Sequence, residues 1–292
     1  MSTMGQLVDS TILYLSGFSA QQDASTHLLQ GVDVDDLRIE VADASAIGRG
    51  IIEMGNEIIQ VDKVDRQANV LTIPPYGRGF RGTKAEPHNG GVRIAAAPQF
   101  PRHTVRQAVH DAMRAVYPDV YATHDEYIPS QATLINYPLA ATNARNVLSI
   151  TMETVGPSKE WLPVRRYELR ANTRDGAVLN IYDQPVPGYD LHVRTAGPPV
   201  IPHEDALDFA VSGLPDSAED LVRLGAAYRL IPNVETPLLS GLTAQADFSA
   251  NMRPIGAGER LGKYILGLYR ERLNEVRHQQ QVENPIRAHY ER

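Results

Sequence analysis

The sequence contains no cysteine. Disulfides and thiolate metal sites are therefore excluded. This suits a reducing cytosol, and equally a particle that must endure outside a cell without redox-sensitive parts. No apolar run approaches the roughly 18–20 residues that a membrane span needs. The opening stretch MSTMGQLVDSTILYLSGF lacks a basic n-region and its apolar part is short, so no signal peptide is expected. An excess of positive charge is missing too. A net charge of −7 argues against a general nucleic-acid binder, whose affinity rests on neutralising phosphates. There is one tryptophan, and aromatic residues make up only 7%, which by itself is no sign of a sugar-binding surface. The rest of the composition, 42% apolar and 22% charged, is that of a globular chain able to bury a core. At 292 residues it is long enough for two domains. Its charge is uneven. From Arg253 to Arg292 eight basic residues stand against five acidic ones, a basic end on an acidic body, as in an arm that docks on an acidic partner.

Hydrophobic spacing divides the chain into zones. Met4, Leu7, Val8, Ile12 and Leu15 recur near helical spacing and predict a first helix over 3–16, followed by a polar connection to 36. Residues 37–97 read as a small β-domain: LRIEV, GIIEM, EIIQVDKV, VLTI and GVRI are short, β-branched and separated by Gly, Asn or Pro. Residues 98–129 read as helix and linker. Pro101 suits a first turn, Val105, Ala108, Val109, Ala112 and Val116 share a face, and Pro118 ends it. Residues 130–212 alternate again and predict a β-sandwich, with Trp161 in or beside its core. Residues 213–282 predict two helices, one with Leu221, Leu224 and Tyr228 inward, the other with Leu261, Ile265, Leu268, Leu273 and Val276 on one stripe. Pro285 lies in a short tail, 283–292. Whole β subdomains alternating with helices disfavour a parallel α/β sheet. The expected class is α+β, a helical frame carrying two β-rich insertions, one a small barrel-like domain and the other a sandwich.

Several motifs offer chemistry and then withhold it. GRGFRG at 77–82 spells GxGxxG, yet a dinucleotide site needs that turn to open a helix, and KAEPHNGG cannot form one. His124-Asp125-Glu126 and His203-Glu204-Asp205 cluster donors, but consecutive residues point apart, and both are read as solvated loops; no HExxH pair occurs. Asp33-Val-Asp35-Asp36 lacks the glycine and distal glutamate of an EF-hand. Glu53 and Glu57 flank a turn and read as charges that solubilise a sheet edge. No nucleophile elbow is present. No catalytic set, cofactor site or metal site is expected.

The glycine loop carries the recognisable phrase. Tyr76 to Ile94 resembles RGxxGTxAxxHxxGxxV, found in a β-domain of tailed-bacteriophage virion proteins, often after a strand pair like GIIEMGNEIIQV at 50–61. Arg78, Gly79, Gly82, Thr83, His88 and Gly91 are the matching positions, and they are expected to form a structural loop. Its glycines permit turns at positive φ, and Thr83 and His88 hold its backbone. Residue 94 is Ile where the phrase has Val. The two C-terminal helices and the sandwich-like stretch WLPVRRYEL…YDLHV are similar in pattern to head-to-tail connector (adaptor) subunits of siphophage type. That resemblance implies a structural, non-enzymatic virion protein, assembled in the host cytoplasm and located at the head–tail junction. It implies a homo-oligomeric ring of about twelve copies whose lumen passes DNA without binding it specifically. An acidic body suits such a lumen. The implied partners are the portal protein and a head-closure or tail-terminator protein, with Arg277, Arg287, His289 and Tyr290 as portal-docking residues. The rival reading is a minor tail or baseplate protein binding host surface glycan through Tyr76, Phe80, Tyr182 and Tyr189. A cell-wall hydrolase is a third, lacking a credible carboxylate pair.

Overall fold

The structure, a computed structural model, describes residues 2–18, 23–131, 134–154, 160–174, 176–183, 187–231 and 257–285. The chain divides into two compact units. One comprises Met1–Gly5, Asp111–Leu224 and Leu266–Arg292, the other Gln6–His110 and Gly225–Ile265.

The second unit holds a β-module of seven strands: β1 (Ala24–His27), β2 (Arg38–Glu40), β3 (Gly50–Met54), β4 (Glu57–Val61), β5 (Lys63–Asp65), β6 (Val70–Thr72) and β7 (Arg93–Ala96). They form two antiparallel sheets, in the orders β1-β7-β3-β4 and β2-β6-β5. Strand side chains alternate between faces, and the inward ones from both sheets meet in one core. Ile39, Val41, Ile52, Met54, Ile59, Leu71 and Ile94 belong to it. The tight turn at Gly55-Asn56 puts Met54 opposite Glu57, and this register delivers Glu57 to the interior.

The first unit holds β8 (Ala122–Pro129), β9 (Asn136–Pro138), β10 (Asn146–Glu153), β11 (Trp161–Pro163), β12 (Tyr167–Thr173), β13 (Gly176–Ile181) and β14 (Asp190–Gly197). Their sheets run β11-β10-β14-β8 and β12-β13-β9. Tyr137, Val147, Ile150, Ala177, Leu179, Ile181, Leu191 and Val193 form their common core. On β14 the period is visible directly: Leu191, Val193 and Thr195 are buried, while His192 and Arg194 reach the other face.

Among the described residues four α-helices accompany the sheets: α1 (Met4–Ser16), α2 (Arg102–Ala115), α3 (Ala218–Leu230) and α4 (Ala257–Glu283). Each buries an apolar stripe, for instance Met4, Leu7, Val8 and Leu15 of α1, and Leu221, Val222 and Ala226 of α3. The end of α4 is fixed by its last buried side chain. The Gln280 amide accepts from the Tyr121 N–H at 3.1 Å and donates to the Tyr121 carbonyl at 2.6 Å.

The helical frame expected from the sequence is corrected. Among the described residues, fourteen strands in four sheets stand beside four helices. The architecture is mostly β, and α+β holds only loosely. The physical reason is that each β-module closes two sheets around its own core, so it does not depend on a helical scaffold for burial. Two strands also occupy stretches read otherwise. β1 falls in the polar connection of 17–36, and β8 in the linker after α2. No helix of the described residues is long and apolar enough to cross a membrane.

Candidate functional site

The glycine loop is organised by Glu57, whose side chain has 0% of its surface exposed. Arg78 donates to its carboxylate from Nε at 2.8 Å and from Nη2 at 3.0 Å. The Gly79 N–H donates at 2.8 Å, the Glu86 N–H at 3.3 Å, and His88 Nε2 lies 2.9 Å away. Burial pushes the Glu57 carboxyl up, but the bonds from Arg78, Gly79, His88 and Glu86 together hold it below its ordinary value. Arg78 also donates to the carbonyls of Asp33 (2.5 Å), Asp36 (3.3 Å) and Glu86 (2.8 Å). One guanidinium thus ties two chain segments, at 33–36 and at 86, to one carboxylate. Thr83 Oγ1 donates to the Phe80 carbonyl at 2.9 Å and accepts the Ile58 N–H at 3.1 Å. His88 exchanges backbone bonds with Val32 at 2.9 Å in both directions.

The backbone explains the glycines. Gly79 has φ 61°, and a Cβ there would stand 2.8 Å from the Thr83 carbonyl oxygen. Gly82 has φ 82°. Both lie in the region that side chains with a Cβ avoid. After the short 3-10 turn Phe80–Gly82 the chain runs without helix to β7, so the turn does not open the helix that a dinucleotide site needs. The Arg78, Thr83 and His88 side chains are spent on bonds within the module.

The expectation that Glu57 merely solubilises a sheet edge is therefore wrong: it is the centre of the network. Glu53 is also no surface charge. It accepts the Arg102 N–H at 2.5 Å, at the start of α2. Burial pushes its carboxyl up to about 7, opposed by the Arg102 bond. His124, Asp125 and Glu126 lie on β8 rather than in a loop. Asp125 pairs with Arg194 Nε at 2.7 Å and His192 Nε2 at 3.1 Å, and Glu126 accepts the Ala140 N–H. Among the described residues no group of three metal-ligating side chains occurs. An open hollow of about 410 Å³ is lined by Arg49, Asp62, Lys63 and Arg66. Arg49 is already paired with Asp62 there at 2.6 Å, and both are exposed, so this is a solvated surface.

No model of a known protein family matches this chain, and no curated protein matches it.

Of the expected docking residues, Arg277 lies on α4, half exposed and 3.3 Å from Asp119. Arg287, His289 and Tyr290 lie outside the described residues. Of the rings proposed to stack on sugar, Tyr76 is 74% exposed, and Tyr182 is held by a 2.8 Å bond from its hydroxyl to Glu168. The aromatic cluster lies elsewhere. Tyr127 of β8 and His192 of β14 are direct cross-strand partners. Their rings stack at 4.6 Å with an 11° interplanar angle. Trp161 stands 6.0 Å from both, edge-on. Tyr127 is 62% and Trp161 42% exposed, so Trp161 is no core residue. Sequence reading had only one signal for this: the alternation in DLHVRT that puts His192 on an outward position.

Proposed function

We propose that this chain is a structural, non-enzymatic protein of a tailed-bacteriophage virion, a subunit of the ring that joins the portal to the head-closure or tail proteins. The observation that carries this reading is the use made of the RGxxGT loop. Arg78, Gly79, Thr83 and His88 all serve internal fastening around Glu57. A loop fastened that way is built to hold its own shape, as a structural subunit requires. In this reading the subunits pack side by side into a homo-oligomeric ring at the head–tail junction. The acidic body of this chain, whose net charge over its whole length is −7, lines or flanks a DNA passage without binding DNA specifically, since like charge repels phosphate. The basic end, with Arg277, Arg287, His289 and Tyr290, reaches for the portal.

The test is reconstitution. The purified chain is mixed with a tailed-phage portal protein, and the products are viewed by negative-stain microscopy. A central-holed ring seated on the portal is the expected result. A chain that stays monomeric and does not sediment with the portal overturns the reading.

A further inference from the structure

An exposed cluster of tyrosine, histidine and tryptophan on a sheet face has the composition of an interaction hot spot. The cross-strand register puts Tyr127, His192 and Trp161 on one face of the β11-β10-β14-β8 sheet. Leu191 and Val193 point from the opposite face into the core. Tyr127 and His192 lie flat against each other, and Trp161 meets both edge-on, so the rings form a packed platform. Their polar atoms are not spent. Among the described residues the Tyr127 hydroxyl and Trp161 Nε1 have no hydrogen-bond partner, and neither has His192 Nδ1, the ring nitrogen that does not face Asp125. A tyrosine or tryptophan ring offers an apolar body and one polar handle, and here both parts are open to solvent.

The neighbouring charges narrow the ligand. Asp125 is engaged by His192 Nε2 at 3.1 Å and by Arg194 at 2.7 and 3.0 Å. Arg194 also donates from Nη1 to Asn284 Oδ1 at 3.1 Å. Its guanidinium is committed on every side and offers no free fork to a phosphate. Asp190, exposed two residues before His192 on the same face, adds negative charge. An anionic ligand is therefore repelled. A cation sits against an open ring face and gains most when rings surround it, but these rings close on one another. A second protein surface would have to strip water from the Asp125–Arg194 pair, and that desolvation offsets what the pair returns. The ligand left is uncharged, with apolar faces and a margin of hydroxyls.

We propose that the Tyr127–His192–Trp161 platform binds a neutral saccharide chain. The C–H face of a sugar ring lies on the exposed aromatic surface, and its hydroxyls reach the three unspent polar atoms, a mostly apolar site with a few placed polar groups. The proposal is independent of the connector reading, because it concerns one face of one sheet and is measured on the chain alone.

Trp161 is the only tryptophan in the sequence, so its fluorescence reports this face. The full chain is titrated with neutral hexasaccharides of glucose, N-acetylglucosamine, mannose and galactose. At least one is expected to give a saturable shift of emission to shorter wavelength and weaker acrylamide quenching, both nearly equal at low and high salt. Tyr127 is 62% exposed, so Tyr127→Ala is expected to melt like the wild type and to weaken the response at least tenfold. Tyr127→Phe, which removes only the hydroxyl, should weaken it by a smaller factor. No saturable response to any of the four sugars overturns the proposal. So does a response that Tyr127→Ala leaves intact, which would put the sugar elsewhere. Emission that shifts on dilution without sugar would assign the face to a second copy, and a response confined to low salt would assign it to a charged ligand; either result overturns the proposal.

Discussion

Burying an ionised carboxylate costs several kcal/mol unless donors replace its water. Glu57 meets that condition through Arg78, His88 and the N–H groups of Gly79 and Glu86. Glu57→Gln keeps the shape but leaves the Arg78 guanidinium, itself almost wholly buried, without its counter-charge. The expected loss is about 3–5 kcal/mol, read as a lower melting temperature. An Arg78→Met, Glu57→Gln double variant should recover part of it. The pH dependence has a definite sign. The folded carboxyl of Glu57 sits below its ordinary value of 4.5, so its contribution is complete above that pH and is lost as pH falls through the folded value. Glu53 behaves in the opposite sense. Its folded carboxyl titrates near 7 against 4.5 ordinarily, so the folded state holds a proton that the unfolded state releases. Stability from this group therefore falls as pH rises from about 4.5 to 7 and is level above that. Glu53→Gln retains an acceptor for the Arg102 N–H and should flatten this decline in a series of melts across that range; an unchanged slope would show that Glu53 titrates as a surface carboxyl. Sequence marked Arg78, Gly79, Gly82, Thr83, His88 and Gly91 because turn chemistry is local. It could not mark Glu57, because its partners arrive from distant segments and a glutamate opening a strand otherwise reads as solvated.

Elements differ in how much of themselves they reveal. The stripe on α4 was legible as a period, but its centre was not. Ile265, Tyr269, Val276 and Gln280 are the buried positions, while Leu261, Leu268 and Leu273 are only partly covered. Ile265→Ala should accordingly cost about 2–5 kcal/mol, and Leu268→Ala clearly less. Lys263→Ala, which breaks only the exposed pair with Glu259 at 2.6 Å, should cost under about 0.5 kcal/mol. Thermal melts of the three variants rank the positions; equal losses at 265 and 268 would move the buried face by one position. Strands β1 and β8 escaped the reading for a common reason. ASTH has a single apolar residue, alanine, and HDEYIP carries charge on both faces, so neither shows the apolar alternation by which a strand is seen. Backbone pairing with β7 and β14 makes them strands, and pairing is not written in local composition. In the loop, Gly82→Val forces a β-branched residue to φ 82°. A left-handed residue with a Cβ costs roughly 1–2 kcal/mol, and the branch adds to that. The loss should appear as faster amide exchange in β4 and the loop, while a small residue such as Asn at 82 is tolerated better.

At the scale of the molecule, the balance between helix and sheet depends on how much of the chain pairs at long range. Helical stripes at 4–16, 102–115 and 257–283 can be read residue by residue. The fourteen strands of the described residues, each three to eight residues long, cannot, because each is fixed by a partner elsewhere. Weighing the chain by its visible stripes therefore makes helices the frame and sheets the insertions, and the structure reverses that weight. The consequence can be tested through the two β cores, which share no residue. Leu71 is fully buried in the first and Leu179 in the second. Truncating either to alanine removes packing worth about 2–5 kcal/mol. If each module is held by its own core, Leu71→Ala speeds amide exchange from 38 to 96 and leaves 122–197 near its wild-type protection, and Leu179→Ala does the converse. Trp161, on the second module, gives an independent optical check, since its emission should follow the Leu179 variant and ignore the Leu71 variant. A single loss of protection spread evenly over both modules, whichever leucine is cut, would mean that they unfold as one cooperative body and that the separation of cores has no thermodynamic weight.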